Sequence, residues 1–276
     1  MNKFKFTIQN ALLYYKFWNG YKLNKVLYPE ILEKQEALYG KPVYIESFGN
    51  LDQWKVTDCN EWGSARPENS CVFVKENVSL NKDNGRNSLI IKSTPDKATG
   101  KDWNGNKIER DISSGLVSGL FRIRPGQVVS ATVNASRSYA GSWFSFWLLK
   151  MDVTGDHRYR EVDIFEKFME KPGQKQYMIS LHGGLENARE LLNFNYPLNF
   201  VNEDNMTFTC ELHPAGVKVF LTGIQLCQSD EPDFDGQYYI LFNDGPSTHG
   251  GKVSEEEIKR SLPRTFEVLD FRVYNL

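Results

Sequence analysis

The stretch Glu161-Val162-Asp163-Ile164-Phe165-Glu166 puts three carboxylates within six residues. Side chains alternate faces along a strand, so Glu161 and Asp163 share one face while Val162 and Ile164 share the other. Glu166 is an odd number of residues from Glu161 and falls on the wrong face of a regular strand. One extra residue, a β-bulge, returns it to the carboxylate face. Phe165 is the natural position for that residue. Three acids on one face repel one another and raise one another's pKa, which stability alone gives little reason to build. Two carboxylates roughly 5 Å apart, one a nucleophile and one a proton donor, are what cleavage of a glycosidic bond with retained configuration requires. The competing reading is a half-solvated amphipathic strand that is acidic by chance, and the neighbouring elements must decide between them.

Two flanking segments bear on that choice. In Ser142–Lys150, Trp143, Ser145 and Trp147 lie on one face and Phe144, Phe146 and Leu148 on the other. A strand with aromatics on both faces is covered on both sides, or forms the floor of a cleft on which sugar rings stack. Core packing is the alternative for Trp143 and more so for Trp147. In Gln176–His182, Met178, Ser180 and His182 share a face. Paired beside the acidic strand, that face turns Ser180 and His182 toward the carboxylates, where a histidine can hydrogen-bond the proton donor and tune it. Trp103, in the loop Asp102-Trp103-Asn104-Gly105, is a further stacking candidate or a loop-packing residue. Arg158 and Arg160 precede the acidic strand and read as a solvated strand entry, with contact to an anionic sugar as the alternative.

These strands need a scaffold. The chain has 276 residues, enough for one large β domain, and 13% of them are aromatic. From Lys41 onward, short apolar runs alternate with turn signals. The clearest runs are Val43–Glu46, Ser88–Ser93, Gly115–Arg124, Val128–Ala135, Ser142–Lys150, Glu161–Phe168, Gln176–His182, Thr207–Leu212, Val217–Leu221, Gln237–Asn243 and Phe266–Tyr274. Helices do not alternate with strands, so a parallel α/β sheet is excluded in favour of an antiparallel sandwich. A short helix is expected near Ser254–Ser261.

Residues 1–41 read differently, as a helical arm. Ile8, Leu12, Tyr15, Val26 and Leu27 recur at helical spacing, and Tyr14, Tyr15, Phe17, Trp18 and Tyr21 crowd the first piece. A second piece starts at Pro29, carries Ile31, Leu32 and Leu38 as its apolar stripe, and stops at Gly40. The arm either packs on its own domain or serves a protein partner or self-association. Net charge is −2 with lysine and arginine scattered, so there is no basic stripe for nucleic acid. No apolar run approaches the ~20 residues that span a bilayer. The N-terminus offers no small-residue cleavage site and does not read as a secretory signal. That implies cytoplasmic synthesis, with release or assembly into a virion as later fates. Cys59 with Cys71, or Cys210 with Cys227, pair in an oxidising compartment; four free thiols are the alternative.

The residues together resemble a known family. Glu161–Glu166 is similar to the E-[IV]-D-x-x-E signature of the family-sixteen glycoside hydrolases, in the bulged form of laminarinases, agarases and carrageenases. Ser113-Ser114-Gly115 resembles that family's early Ser-Gly strand. Gly141–Leu149 resembles its G-x-W-P-A-F-W-L-L strand, with Phe144 and Ser145 in place of Pro-Ala. His182 stands where the next strand carries a histidine. Phe208–Gln225, Tyr239–Asn243 and Phe266–Tyr274 resemble its later strands in the right order. The resemblance implies an all-β jelly-roll sandwich of two curved antiparallel sheets over 42–276, concanavalin-like, with the helical arm 1–41 as an addition. It implies a retaining endo-β-glycosidase acting on a β-glucan or galactan-type polysaccharide, with a weak or inactive carbohydrate-binding module, or a virion depolymerase component, as the alternative. By motif position, Glu161 is the nucleophile, Glu166 the acid/base and Asp163 the residue that holds Glu161. Trp143, Trp147, Trp103 and His182 would meet substrate. No cofactor is required for the chemistry. A family calcium ion would use Asp270, although Glu46-Ser47-Phe48 departs from the acidic segment that completes its site.

Overall fold

The computed structural model describes residues 28–61, 63–82, 87–151, 159–169, 176–184, 189–197, 204–230, 234 and 236–276. The first helical piece of the arm, with its aromatic cluster, and Arg158 lie outside them. The described chain opens with helix α1 (Tyr28–Tyr39), followed by β1 (Tyr44–Glu46), β2 (Trp54–Val56), β3 (Val72–Phe73), β4 (Val78–Asn81) and β5 (Ser88–Ser93). Then come β6 (Ala98–Lys101), β7 (Lys107–Arg110), β8 (Ser113–Ser114), β9 (Leu116–Gly119), β10 (Gln127–Asn134), β11 (Trp143–Met151), β12 (Tyr159–Phe168) and β13 (Gln176–Gly184). The chain closes with β14 (Arg189–Pro197), β15 (Met206–His213), β16 (Gly216–Leu221), β17 (Ile224–Ser229), β18 (Gln237–Asp244), helix α2 (Glu255–Ser261) and β19 (Arg264–Asn275).

Two antiparallel sheets form the sandwich. The seven-stranded sheet runs β14-β13-β12-β11-β18-β9-β2, and the eight-stranded sheet runs β17-β16-β15-β10-β19-β5-β4, with β1 added beside β19. The short β3–β8 pair is parallel, and β6 and β7 form a separate hairpin. Strand alternation fills the space between the sheets. Phe144, Phe146 and Leu148 of β11 and Val162, Ile164 and Phe165 of β12 are fully buried. They meet rings from across the sandwich: Phe144 stacks on Phe266 at 4.9 Å and Phe165 lies 4.6 Å from Phe208. Such ring pairs add about 0.5–1.5 kcal/mol each beyond the area they bury. Arg160 is also buried, not solvated as its sequence position suggested. It shares the phase of Val162, which directs it to the core side of the strand.

Turn chemistry closes the strands as the sequence implies. Thr222 (φ 52°) and Gly223 (φ 79°) form the two-residue turn between β16 and β17, both in the left-handed region that a tight hairpin needs. Ser254 caps α2 by accepting from the Glu257 N–H while Glu257 reaches back to the Ser254 N–H, a capping box. Among the described residues no helix is long and apolar enough to cross a membrane.

Helix α1 lies on the outer face of the eight-stranded sheet, and its seat is polar. Gln35 is buried; its Nε2 donates to Ser130 Oγ (2.8 Å) and Thr209 Oγ1 (2.7 Å), and its Oε1 accepts from Tyr274 (3.4 Å). Tyr39 donates to Glu211 (2.8 Å) and Glu36 pairs with Arg272 (3.0 Å). Ile31, Gln35 and Tyr39 make the contact stripe, and Leu38 is 70% exposed, which corrects its expected place in an apolar stripe. The reason is the surface beneath: a sheet face of hydroxyls selects an amide over a leucine. Gln35→Leu strips the Ser130 and Thr209 hydroxyls of a partner. It is expected to lower stability in urea unfolding by about 1–3 kcal/mol.

Two sequence expectations meet different surroundings. All four cysteines are free. Cys210 and Cys227 each register with Val219 from opposite sides, so a strand stands between them. Glu46 accepts from Tyr44 (2.6 Å), the Phe48 N–H (2.7 Å) and Trp54 Nε1 (2.8 Å). Asp270 is paired with Arg272 through two contacts, at 3.0 and 3.4 Å. Both carboxylates are engaged by donors, so Asp270 and Glu46 do not fit a calcium site in this arrangement.

Candidate active site

The acidic strand β12 has the bulge its spacing demanded. Against β11, Phe146 registers with Phe165 and Trp147 with Asp163, leaving Ile164 as the extra residue. Against β13, Asp163 registers with Ser180 and Glu166 with Met178, so Ile164 and Phe165 together oppose Ile179. The bulge therefore begins one residue earlier than Phe165. Two consecutive side chains, Ile164 and Phe165, enter the core, and Glu161, Asp163 and Glu166 all reach the opposite face.

That face carries a cleft of about 620 Å³. The three carboxylates, Trp143, Trp147, His182 and Trp103 all line it. Ser145 and Leu149 extend the β11 floor, Met178 and Ser180 the β13 side, and Arg66, Glu68 and Asn69 form a wall from the loop before β3. Sequence reading missed this wall and Asn243, because loops and strand ends carry no periodicity. The apolar run ending in Asn-Asp at residues 243 and 244 was the available signal.

Each tryptophan has a specific support. Trp147 is buried and its Nε1 donates to Asn243 Oδ1 at 2.7 Å, so it is a fixed floor. Trp143 Nε1 donates to Glu166 Oε1 at 2.5 Å, and its ring packs 4.3 Å from Phe168. Trp103 is 57% exposed at the tip of the β6–β7 hairpin. It is nonetheless placed: the Arg66 guanidinium lies 5.3 Å from its ring and 5.2 Å from that of Trp147. Gly63 (φ +76°) lies so close that a Cβ there would stand 2.5 Å from the Trp103 ring.

The carboxylates sit in unequal environments. Asp163 is buried, and burial first, then the Glu161 charge and a hydrogen bond to Glu161, push its carboxyl well above the usual range. Glu166 is also buried and is raised chiefly by burial and then by Asp163, with the Trp143 N–H pulling the other way. Glu161 keeps 17% of its side chain exposed. His182 lies with Nε2 at 3.1 Å from Asp163 and 4.0 Å from Glu161. Its contacts are thus at the Glu161 end of the site, because its register partner is Glu161, and it reaches Glu166 only through its charge. Glu161, Asp163 and His182 each offer an atom within 4.8 Å of the others, close enough to share a cation. A proton held between Asp163 and Glu161 competes with that use. The arrangement supplies at Glu166 a carboxyl that burial biases toward its protonated form, a more open carboxylate at Glu161, and between them a buried carboxyl hydrogen-bonded to Glu161.

No family model matches the sequence, and no curated protein matches it. The fold does match solved structures. A κ-carrageenase from Pseudoalteromonas carrageenovora superposes with a TM-score of 0.65 at 14% identity, over 84% of this chain and 92% of that one. An endo-β-1,3-glucanase from Pyrococcus furiosus gives 0.65 at 19% identity, over 85% and 94%. A glycoside hydrolase family 16 endo-glucanase from Bacteroides ovatus gives 0.64 at 17% identity, over 84% and 99%. The jelly-roll sandwich expected from the sequence is thus the fold this chain shares with those hydrolases.

Proposed function

We propose that the protein is a divergent family-sixteen glycoside hydrolase that cleaves internal β-glycosidic bonds of a polysaccharide with retention. The observation that carries this reading is the bulge in β12, which turns Glu161, Asp163 and Glu166 onto one cleft wall. The shared fold, with hydrolases of carrageenan and β-glucan, supports it.

In this reading Glu161 attacks the anomeric carbon and forms a glycosyl ester as the glycosidic C–O bond breaks. Glu166, biased toward its protonated form by burial, gives its proton to the departing oxygen. Trp143 holds Oε1 through its N–H, which leaves the other oxygen to carry the proton. Glu166, now ionised, takes a proton from water as that water attacks the ester, and Glu161 leaves as the carboxylate. Asp163 donates to Glu161 and fixes its orientation, and His182 braces Asp163. Trp143, Trp147 and Trp103 supply flat apolar surface for sugar rings. An inactive binding module has no use for a neutral acid poised opposite a more open carboxylate.

The test is a panel of β-glucans, agars and carrageenans, with new reducing ends measured and the anomeric configuration of the first product read by proton NMR. Internal cleavage giving the β-anomer is expected; an α-anomeric product would rule out the double displacement. Trp103 carries its own prediction. Gly63→Ala forces the Trp103 ring aside and is expected to raise KM for polymer about fivefold, the equivalent of about 1 kcal/mol, with kcat little changed. An unchanged KM would remove Trp103 from the substrate platform.

A further inference from the structure

The last two residues of β18 point to opposite faces. Asn243 enters the cleft and holds Trp147, whereas Asp244 enters the core and is fully buried. One Asp244 oxygen accepts the hydroxyls of Ser93 (2.5 Å) and Tyr139 (2.7 Å); the other accepts the backbone N–H of Trp143 at 3.2 Å. The Asp244 backbone carbonyl accepts from Ser114 Oγ at 2.7 Å, and that hydroxyl lies 2.7 Å from Ser93 Oγ. The titratable neighbours are Tyr139 and Cys71, both held neutral by burial and by the Asp244 charge. Two hydroxyls and a backbone N–H thus converge on a core carboxylate that the catalytic reading does not use.

Trp143 joins this network to the cleft. Its backbone is held by Asp244 and its indole donates to Glu166 Oε1. We propose that Asp244 is a positioning residue that fixes Trp143 and, through its indole, the orientation and proton affinity of Glu166. The consequence for catalysis rests on the assignment of Glu166 as proton donor; the structural link does not. Burial raises the Asp244 carboxyl to about 6, against three donated hydrogen bonds that lower it. Protonation there weakens the charge-assisted contact to the Trp143 N–H. The link therefore loosens on mild acidification. The groups that act on Glu166 are Asp163, the Trp143 N–H to which it is hydrogen-bonded, Glu161 and, at longer range, His182; His249 lies 6.1 Å from the Trp143 ring and 4.7 Å from Phe168.

The experiment follows the Trp143 backbone and indole N–H resonances from pH 4.5 to 8 in Glu166→Gln protein, where Glu166 itself no longer titrates. Both are expected to move together with one midpoint near 6. Adding Asp244→Asn should flatten that shared step. Adding Tyr139→Phe, which removes one donor to the carboxylate, should move it to higher pH and covers the case in which the Asn variant does not fold. A backbone step with a flat indole, or a shared step that ignores both substitutions, would overturn the link. In otherwise unaltered enzyme, Asp244→Asn is expected to lower kcat about tenfold to a hundredfold with little change in KM, and to displace the acid limb of the pH profile. If the resonances behave as expected but no glycan is cleaved at any pH, the role of Glu166 fails while the link stands.

Discussion

Glu161→Gln is expected to lower hydrolysis of the best glycan by at least about a thousandfold while leaving the domain folded. The side chain is at the cleft, not in the core, and Gln preserves its shape. What it loses is the oxygen that forms the glycosyl ester, and no other described cleft carboxylate has the same exposure and partners. Glu166→Gln should behave differently. A substrate with a poor leaving group needs the proton and slows by about a hundredfold to ten-thousandfold. An aryl glycoside with a good leaving group does not need it, so the first step survives. The second step then lacks its general base, and the enzyme stalls after one burst of product. Stopped-flow measurement of both variants on an aryl glycoside separates the roles: burst and stall for Glu166→Gln, neither for Glu161→Gln. Equal turnover of wild type and Glu161→Gln would dismiss the mechanism.

Stability is expected to rise as pH falls from 7 toward 5, the reverse of ordinary acid sensitivity. Asp163, Glu166 and Asp244 are all buried and all held above the usual carboxyl range, chiefly by burial. Folding therefore raises their affinity for protons. The associated stability is fully present below the unfolded-state pKa, near 4, and is lost as pH rises through the folded-state values. For Asp244 the change from 3.8 to about 6 corresponds to about 3 kcal/mol at 1.36 kcal/mol per pKa step. Asp58, Asp102, Asp111 and Glu257 are shifted downward and oppose this, but they lie at the surface, where solvent screens them. Guanidinium unfolding midpoints at pH 7, 6 and 5 read the effect. The wild-type midpoint should climb on acidification, and Glu166→Gln should be more stable than wild type at pH 7 and lose part of the climb. A midpoint that falls steadily from pH 7 to 5 would contradict the buried, proton-hungry site.

The sequence alone determined the alternation in β11, β12 and β13, and with it which residues share the cleft face. Period-two patterning is local: it needs only the pleat, so Trp143 and Trp147 could be grouped, and the odd spacing of Glu166 already required a bulge. Gly40, the Thr222-Gly223 turn and the short helix near Ser254–Ser261 were legible for the same reason, since each reflects backbone constraints within a few residues. Short strands such as β2, β3 and β17 were not read, because few residues carry their pattern and sheet pairing stabilises them from outside. Tertiary structure decided the rest. It set the bulge at Ile164 and Phe165 together, opposite Ile179. It turned Gln35 inward and Leu38 outward, because the sheet beneath α1 is lined with hydroxyls. It brought the Arg66 wall and the Asp244 network to the tryptophans from distant parts of the chain. Those contacts depend on which strands lie side by side, and alternation within a single strand holds no record of its neighbours.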